Sequence, residues 1–183
     1  MNLIEGIRSR ASAVKLGEPA PTQEQVRTIL EACLRAPDHG RLKPWRFVVL
    51  EGAARNKLGD AMANVLRKKA PQSTQAQLDG ERAKPMRAPT IIVVAARTMK
   101  GKIPEIEQIA AVAAGVQNMV LTAHALGLGA MWKTGGAAYD PDVKTTLGLL
   151  PEDHIVAFLY LGTTISPGPV IPIPLETAMI EAP

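Results

Sequence analysis

Arg35-Ala-Pro-Asp-His-Gly-Arg-Leu-Lys-Pro-Trp45 lies between a helical apolar pattern and the short apolar run Phe47–Leu50. The segment holds three cations, one carboxylate, one histidine, one glycine and two prolines. Pro37 and Pro44 lack an N–H and fix φ, so this stretch cannot continue the preceding helix as regular structure. Ala36 and Lys43, which precede them, are pushed out of the helical region. A stiff charged loop between a helix and a strand is either a solvated connection or a wall of a binding site. Residues elsewhere in the chain must decide.

On the N-terminal side, Thr22 and Gln25 stand at capping-box spacing. Val26, Ile29, Leu30, Cys33 and Leu34 then recur with helical period, up to the stop at Pro37. Glu18-Pro-Ala-Pro21 reads as a turn before this helix, and residues 2–9 as a short helix with Leu3, Ile4 and Ile7 on one face. The cations of Arg8-Ser-Arg-Ala-Ser12 and Lys15 have two readings. They interact with the C-terminus of the first helix, or they hold an anion through charge-assisted bonds.

On the C-terminal side, Phe47–Leu50 reads as a buried strand ended by Gly52, and residues 53–69 as a helix stopped by Pro71. Residues 72–84 are polar with few anchors, and either a surface helix or a mobile cover fits them. Thr90–Ala96 is an unbroken apolar run, the pattern of an interior strand. Pro104 opens the longest helical pattern, to Leu126, unusually rich in alanine and glycine. Such a surface admits close approach by another helix or by a partner chain. Gly127-Leu-Gly129 breaks it, and Ala130–Trp132 reads as a short strand. Asp140-Pro141 starts a helix to Leu147, and residues 154–161 read as a strand ending at Gly162. Four prolines within Pro167–Pro174 make residues 167–183 an extended arm, too apolar to hang in water. It is expected to lie on the body or to cross to a second subunit. No linker divides the chain, so one domain over 1–183 is expected.

Composition narrows the function. The 183 residues carry a net charge of +4, with 46% hydrophobic and only 3% aromatic side chains. The charge suits an anionic ligand, whereas scarce aromatics and dispersed cations disfavour a nucleic-acid-binding module. One cysteine, Cys33, sits among apolar helix neighbours and reads as a buried inert thiol. With no signal-peptide pattern near the start and no apolar run of about 18 residues, a cytoplasmic protein with no membrane contact is expected. Histidines at 39, 124 and 154 are scattered, which gives a metal site little support. Metalloprotease, nucleophile-elbow and phosphate-loop signatures are missing. Chemistry, if present, is expected from a bound cofactor, cradled by the loops at 8–15, 35–43 and 132–136.

A resemblance enters here. Arg10 with Ser12 after a short first helix, Arg35-Ala-Pro through Lys43-Pro-Trp45 before a strand, and Ala123–Gly129 followed by Trp132 together resemble the nitroreductase family. The spellings Ala36–His39 and Phe158–Gly162 are similar to a short-chain subgroup of it. The likeness runs in order over nearly the whole chain. Family members often carry Ser at 38, Asn at 41, Gln before Pro-Trp and, in close relatives, Arg at 11. This chain has Asp38, Arg41, Lys43 and Ala11 there.

The resemblance implies an α+β fold with a mixed central sheet surrounded by helices. It implies an intertwined homodimer with FMN at the subunit interface. By similarity, Arg10, Ala11 and Ser12 approach FMN from one subunit, and Arg35 and His39 from the other. Trp132, Lys133 and Thr134 line the flavin again. Thr122, Ala123, His124, Ala125, Leu126 and Gly127 match the segment assigned to NAD(P). Lys43 and Arg35 are candidates to stabilise the anionic reduced flavin. The implied activity passes hydride from NADH or NADPH through flavin N5 to a nitroaromatic, quinone or similar acceptor, in a ping-pong cycle with no catalytic side chain. The alternative is a protein that stores or senses FMN without turnover.

Overall fold

The computed structural model describes residues 2–180. Helix α1 (Leu3–Ser9) is followed by strand β1 (Ala13–Gly17) and helix α2 (Gln23–Cys33). Strand β2 (Trp45–Glu51), helices α3 (Ala54–Lys69) and α4 (Gln75–Ala83), and strand β3 (Thr90–Ala96) come next. Helix α5 (Glu105–Ala125), strand β4 (Gly129–Lys133), helix α6 (Pro141–Thr146) and strand β5 (His154–Pro167) complete the regular elements. Short 3-10 turns lie at 39–41, 84–87, 136–139 and 175–177.

Local chemistry sets many of these boundaries. Asn2, Thr22 and Thr74 each close a capping box, with Glu5, Gln25 and Gln77 as the reciprocal partners. Asp140 caps α6 through the Asp142 N–H at 3.0 Å, with proline in the first turn. Thr74 decides the polar stretch 72–84 in favour of a helix, held down by the buried Leu78.

The sheet runs β1-β5-β3-β2, with β4 also paired to β5. Each described pairing is antiparallel, which corrects the expected mixed sheet. The unbroken apolar run of β3 comes from burial on both faces, not from strand direction. Ile91, Val93 and Ala95 face a core built on α3 and α6, with Leu58, Met62, Val65, Val143 and Leu147. Ile92, Val94 and Ala96 face a second core built on α2 and α5, with Val26, Ile29, Cys33, Val112, Val116 and Met119. The result is a helix layer on each side of the sheet.

Strand β5 does not stop at Gly162 but continues to Pro167, where Thr163 to Pro167 pair with β1. Gly162 is needed inside the strand, since a Cβ there would meet Pro89 Cδ at 2.7 Å and Gly17 O at 2.8 Å. Strand β1 escapes a reading for alternation because Val14 and Lys15 are both exposed, across a register irregularity. Cys33 is fully buried, and desolvation pushes its thiol up to about 12. That makes it the inert thiol expected. Among the described residues no helix is long and apolar enough to cross a membrane. The arm expected over 167–183 is irregular from Gly168 and exposed from Pro169 onward, apart from the turn at 175–177, and its last three residues lie outside the described residues.

Candidate active site

The end of α1 sets the first wall. Arg10 closes that helix through its backbone N–H to Gly6 O, and Arg8 stands in the last turn. The capping role is therefore met by the Arg10 main chain, and its side chain is left for other work. Arg8, Arg10, Ala11 and Ser12 line a cleft of about 680 Å³ with Met131 of β4 and the arm segment 168–172. Among the described residues the side chains of Arg8, Arg10 and Ser12 make no hydrogen bond or ion pair. A cleft of this size falls in the roughly 300–1,000 Å³ range of small-molecule sites. Unpartnered guanidinium groups with a hydroxyl beside them suit a phosphate or carboxylate.

Gly168 makes this wall possible. A Cβ on it would stand 2.2 Å from the Ser12 carbonyl oxygen, so only glycine lets the arm's backbone pass residue 12 this closely.

A second cavity, of about 250 Å³, adjoins the first and shares Arg10, Ala11, Gly168 and Val170 with it. His124 of α5 lines it and joins it to α1. Its Nε2 lies 2.9 Å from Ser9 Oγ, while the Ser9 hydroxyl donates to Glu5 O at 2.7 Å. With the serine proton directed at Glu5, the network assigns the His124 proton to Nε2 as donor. The structure thus brings Arg10, Ala11 and His124 together. Ala125, Leu126 and Gly127 are exposed at the helix end, whereas Ala123 is fully buried and its carbonyl accepts from Leu128 N at 2.9 Å. The Thr122 carbonyl accepts from Leu126 N at 3.0 Å.

Strand alternation divides the third segment. Trp132 is on the α5 side of the sheet, where its indole N–H donates to Val156 O at 2.9 Å. Lys133 and Thr134 line a different cavity, beside Phe158 and Tyr160. Adjacent positions in the sequence therefore open onto different surroundings.

The loop at 35–45 stands apart from all three. Arg35, His39 and Lys43 are exposed, and Nδ1 of His39 meets the Glu107 carboxylate at 2.6 Å in the first turn of α5. His124 is at the last turn of the same helix. Seventeen residues at 1.5 Å each separate Glu107 from His124, roughly 25 Å. Two further charged contacts brace this region. His154 Nε2 and Thr98 Oγ1 both lie 2.9 Å from Glu105 Oε1, and Thr98 first, then His154, hold the Glu105 carboxyl below its ordinary value. Asp153, buried, takes a two-pronged contact from Arg97 at 2.8 and 2.7 Å.

Sequence reasoning read Arg8 as a candidate anion holder but left it out of the flavin residues, and it missed Met131, the backbone of 168–172, Lys84 and Arg87. The first carried a signal in the Arg8/Arg10 pair. The others are made neighbours only by the sheet.

The nitroreductase family model matches residues 7–163. The Escherichia coli (strain K12) protein named Putative NAD(P)H nitroreductase YdjA is 39% identical over 164 residues, 89% of this chain and 88% of that one. A nitroreductase-like family protein from Bacillus cereus superposes with a TM-score of 0.83 at 27% identity, covering 100% of this chain and 96% of the other. A Desulfovibrio desulfuricans structure, described as a putative nitroreductase in complex with FMN, gives 0.76 at 28% identity, covering 100% and 98%. The cleft with its unpaired arginines thus sits in a fold and a sequence that agree over most of their length with these proteins, and the chain belongs to the nitroreductase family.

Proposed function

We propose that this chain is an FMN-dependent NAD(P)H oxidoreductase of the nitroreductase type. The observation that carries the proposal is the cleft in which Arg10 and Ser12 stand without partners beneath a glycine-permitted backbone wall. Bound there, FMN would supply two-electron chemistry, taking hydride at N5 from NADH or NADPH and passing it to a nitroaromatic, quinone or similar acceptor in a ping-pong cycle. The residues fit that cofactor. Arg10 and Ser12 offer a cation and a hydroxyl to its phosphate, and Ala11 lies between them without filling the cleft. Lys133 and Thr134, which line the separate cavity beside Tyr160, and Trp132 are assigned to the flavin by the family resemblance, Lys133 as a source of positive charge. His124, adjoining the same cleft, offers its unprotonated Nδ1 as an acceptor to the carboxamide N–H of the nicotinamide substrate, and the turn through Thr122, Ala123, Ala125, Leu126 and Gly127 shapes that end.

Arg35, His39 and Lys43 are assigned to the site of a partner chain. His39 and His124 stand at opposite ends of α5, too far apart to hold one flavin ring within one chain. A homodimer also accounts for the apolar surface of α1 and the arm. Leu3, Ile4 and Ile7, and then Ile171, Ile173 and Leu175, are each at least half exposed, more than a lone chain keeps without purpose. In this reading residues 1–183 form one cytoplasmic domain whose arm, from 167, packs on the second subunit.

The test is the visible spectrum of the purified protein, with the released cofactor identified, followed by NADH and NADPH oxidation with an added nitroaromatic or quinone. A yellow protein that releases FMN and turns over either nicotinamide is expected. A yellow protein that turns over neither is an FMN store or sensor, and a colourless one that takes up no FMN overturns both.

A further inference from the structure

Lys84 and Arg87 lie in the 3-10 turn between α4 and β3, and Lys133 ends β4 opposite them. With Met62, Phe158 and Tyr160 they line a cavity of about 310 Å³ that no carboxylate of the described residues lines. Lys84 is paired with Glu81 at 2.5 Å. Arg87 makes no ion pair among the described residues, and Lys133 Nζ stands 5.8 Å above the centre of the Tyr160 ring. Arg87 and Lys133, neither held by a carboxylate among the described residues, raise the potential of so small a space and favour an anion inside it, while Glu81 largely offsets Lys84. Burial pushes the Tyr160 hydroxyl up to about 12, so it keeps its proton at neutral pH and remains a donor. A second cavity of about 220 Å³ shares Met62, Lys84 and the turn at 134–135, so the space continues as a groove. An apolar aromatic floor under a cationic rim matches a flat ring that bears a carboxylate.

We infer that this cavity binds the anionic end of the electron acceptor, a small aromatic carboxylate whose charge is taken by Arg87 and Lys133. The acceptor role rests on the flavin-oxidoreductase reading above, because Lys133 belongs to the segment assigned there to the flavin. Binding of the carboxylate itself does not rest on it. Lys84, already paired, tunes the field from the side.

A matched pair of acceptors tests the inference: 4-nitrobenzoate and its neutral methyl ester, with the FMN-loaded protein. Each nitro group takes a hydride from NADH and a proton from solvent, loses one oxygen as water, and becomes a nitroso group. Arg87→Gln is expected to raise the KM for 4-nitrobenzoate about tenfold and to leave the ester unchanged. Lys84→Gln is expected to do the same to a smaller degree. Equal losses for both acceptors, or no change for either, would overturn the assignment. If the wild-type protein reduces neither compound, the acceptor role fails, the oxidoreductase reading is decided separately by NADH oxidation with a quinone, and calorimetric titration of 4-nitrobenzoate decides the carboxylate site alone. Binding weakened by Arg87→Gln then sustains the carboxylate site, and no binding to the wild-type protein overturns it.

Discussion

The Asp38 carboxylate accepts a hydrogen bond from the Lys43 backbone N–H at 2.8 Å, across the loop that leads into β2. Lys43 has φ 53° and Arg41 φ 54°, both in the left-handed region that side-chain-bearing residues rarely adopt. Pro44 drives Lys43 out of the right-handed helical region, and Asp38 holds it in the conformation it takes instead. Two departures from the family pattern, Asp38 and Lys43, are thus parts of one device.

This contact and the strain it holds predict the effects of three substitutions. Asp38→Ala removes the acceptor and should cost about 1 kcal/mol. Lys43→Gly relieves the left-handed strain and should be more stable than Lys43→Ala by about 1 kcal/mol. Urea midpoints of the three variants check both signs.

The buried Asp153 makes stability sensitive to acid. Its carboxyl is held below the ordinary value first by the Arg97 hydrogen bonds and also by the Leu150 N–H, against the opposing effect of burial. A lowered folded-state value means a contribution fully present above the unfolded carboxylate value of about 3.9 and lost as pH falls through the folded one. Asp153→Asn should lower stability at pH 7 by about 2–3 kcal/mol. It should also flatten the fall in thermal midpoint below pH 4. An unchanged acid slope in the variant would show that other carboxylates carry it.

Gly115 on α5 admits α2. A Cβ there would lie 2.5 Å from Cys33 Sγ, 2.9 Å from Cys33 O and 3.2 Å from Trp45 Nε1, itself a buried donor without a partner among the described residues. Gly115→Ala should lower stability by about 1–3 kcal/mol, because overpacking against a carbonyl exceeds the helix propensity gained. Adding Cys33→Ala should recover only part, since the carbonyl stays. In the parent protein, a thiol reagent at pH 8 should modify Cys33 only after unfolding.

Flavin retention should depend on the first cleft in two separable ways. Arg10→Ala removes charge and should weaken FMN binding about tenfold or more. Gly168→Ala should also weaken it, through displacement of the arm from Ser12, with charge intact. Raised salt should therefore narrow the difference between parent and Arg10→Ala but not that between parent and Gly168→Ala. Equilibrium dialysis of FMN at two ionic strengths reads both.

Much of this protein was written locally. The capping box Thr22–Gln25, the Asp140-Pro141 helix start and the bounds of β3 depend on neighbours a few residues away. The chain carries them whatever the tertiary arrangement. The same holds for the landmarks at Arg10–Ser12, Arg35–Trp45 and Ala123–Trp132, which mark the family in the sequence alone. What the sequence by itself determined is therefore most of the helix and strand segments, β1 and the far end of β5 apart, and which loops carry charge.

Contacts between distant segments needed the tertiary structure. The direction of the strands was invisible because burial on both faces makes the same apolar run in either sense. Strand β1 became a strand only by finding the far end of β5, since Lys15 and Val14 offer no alternation of their own. Trp132 and Lys133 parted to different surroundings because side chains alternate across a strand, and only the sheet says what covers each face. Arg87 and Lys133, 46 positions apart, meet because β3 and β4 both pair with β5. Such neighbours depend on register over long loops, which no local propensity encodes.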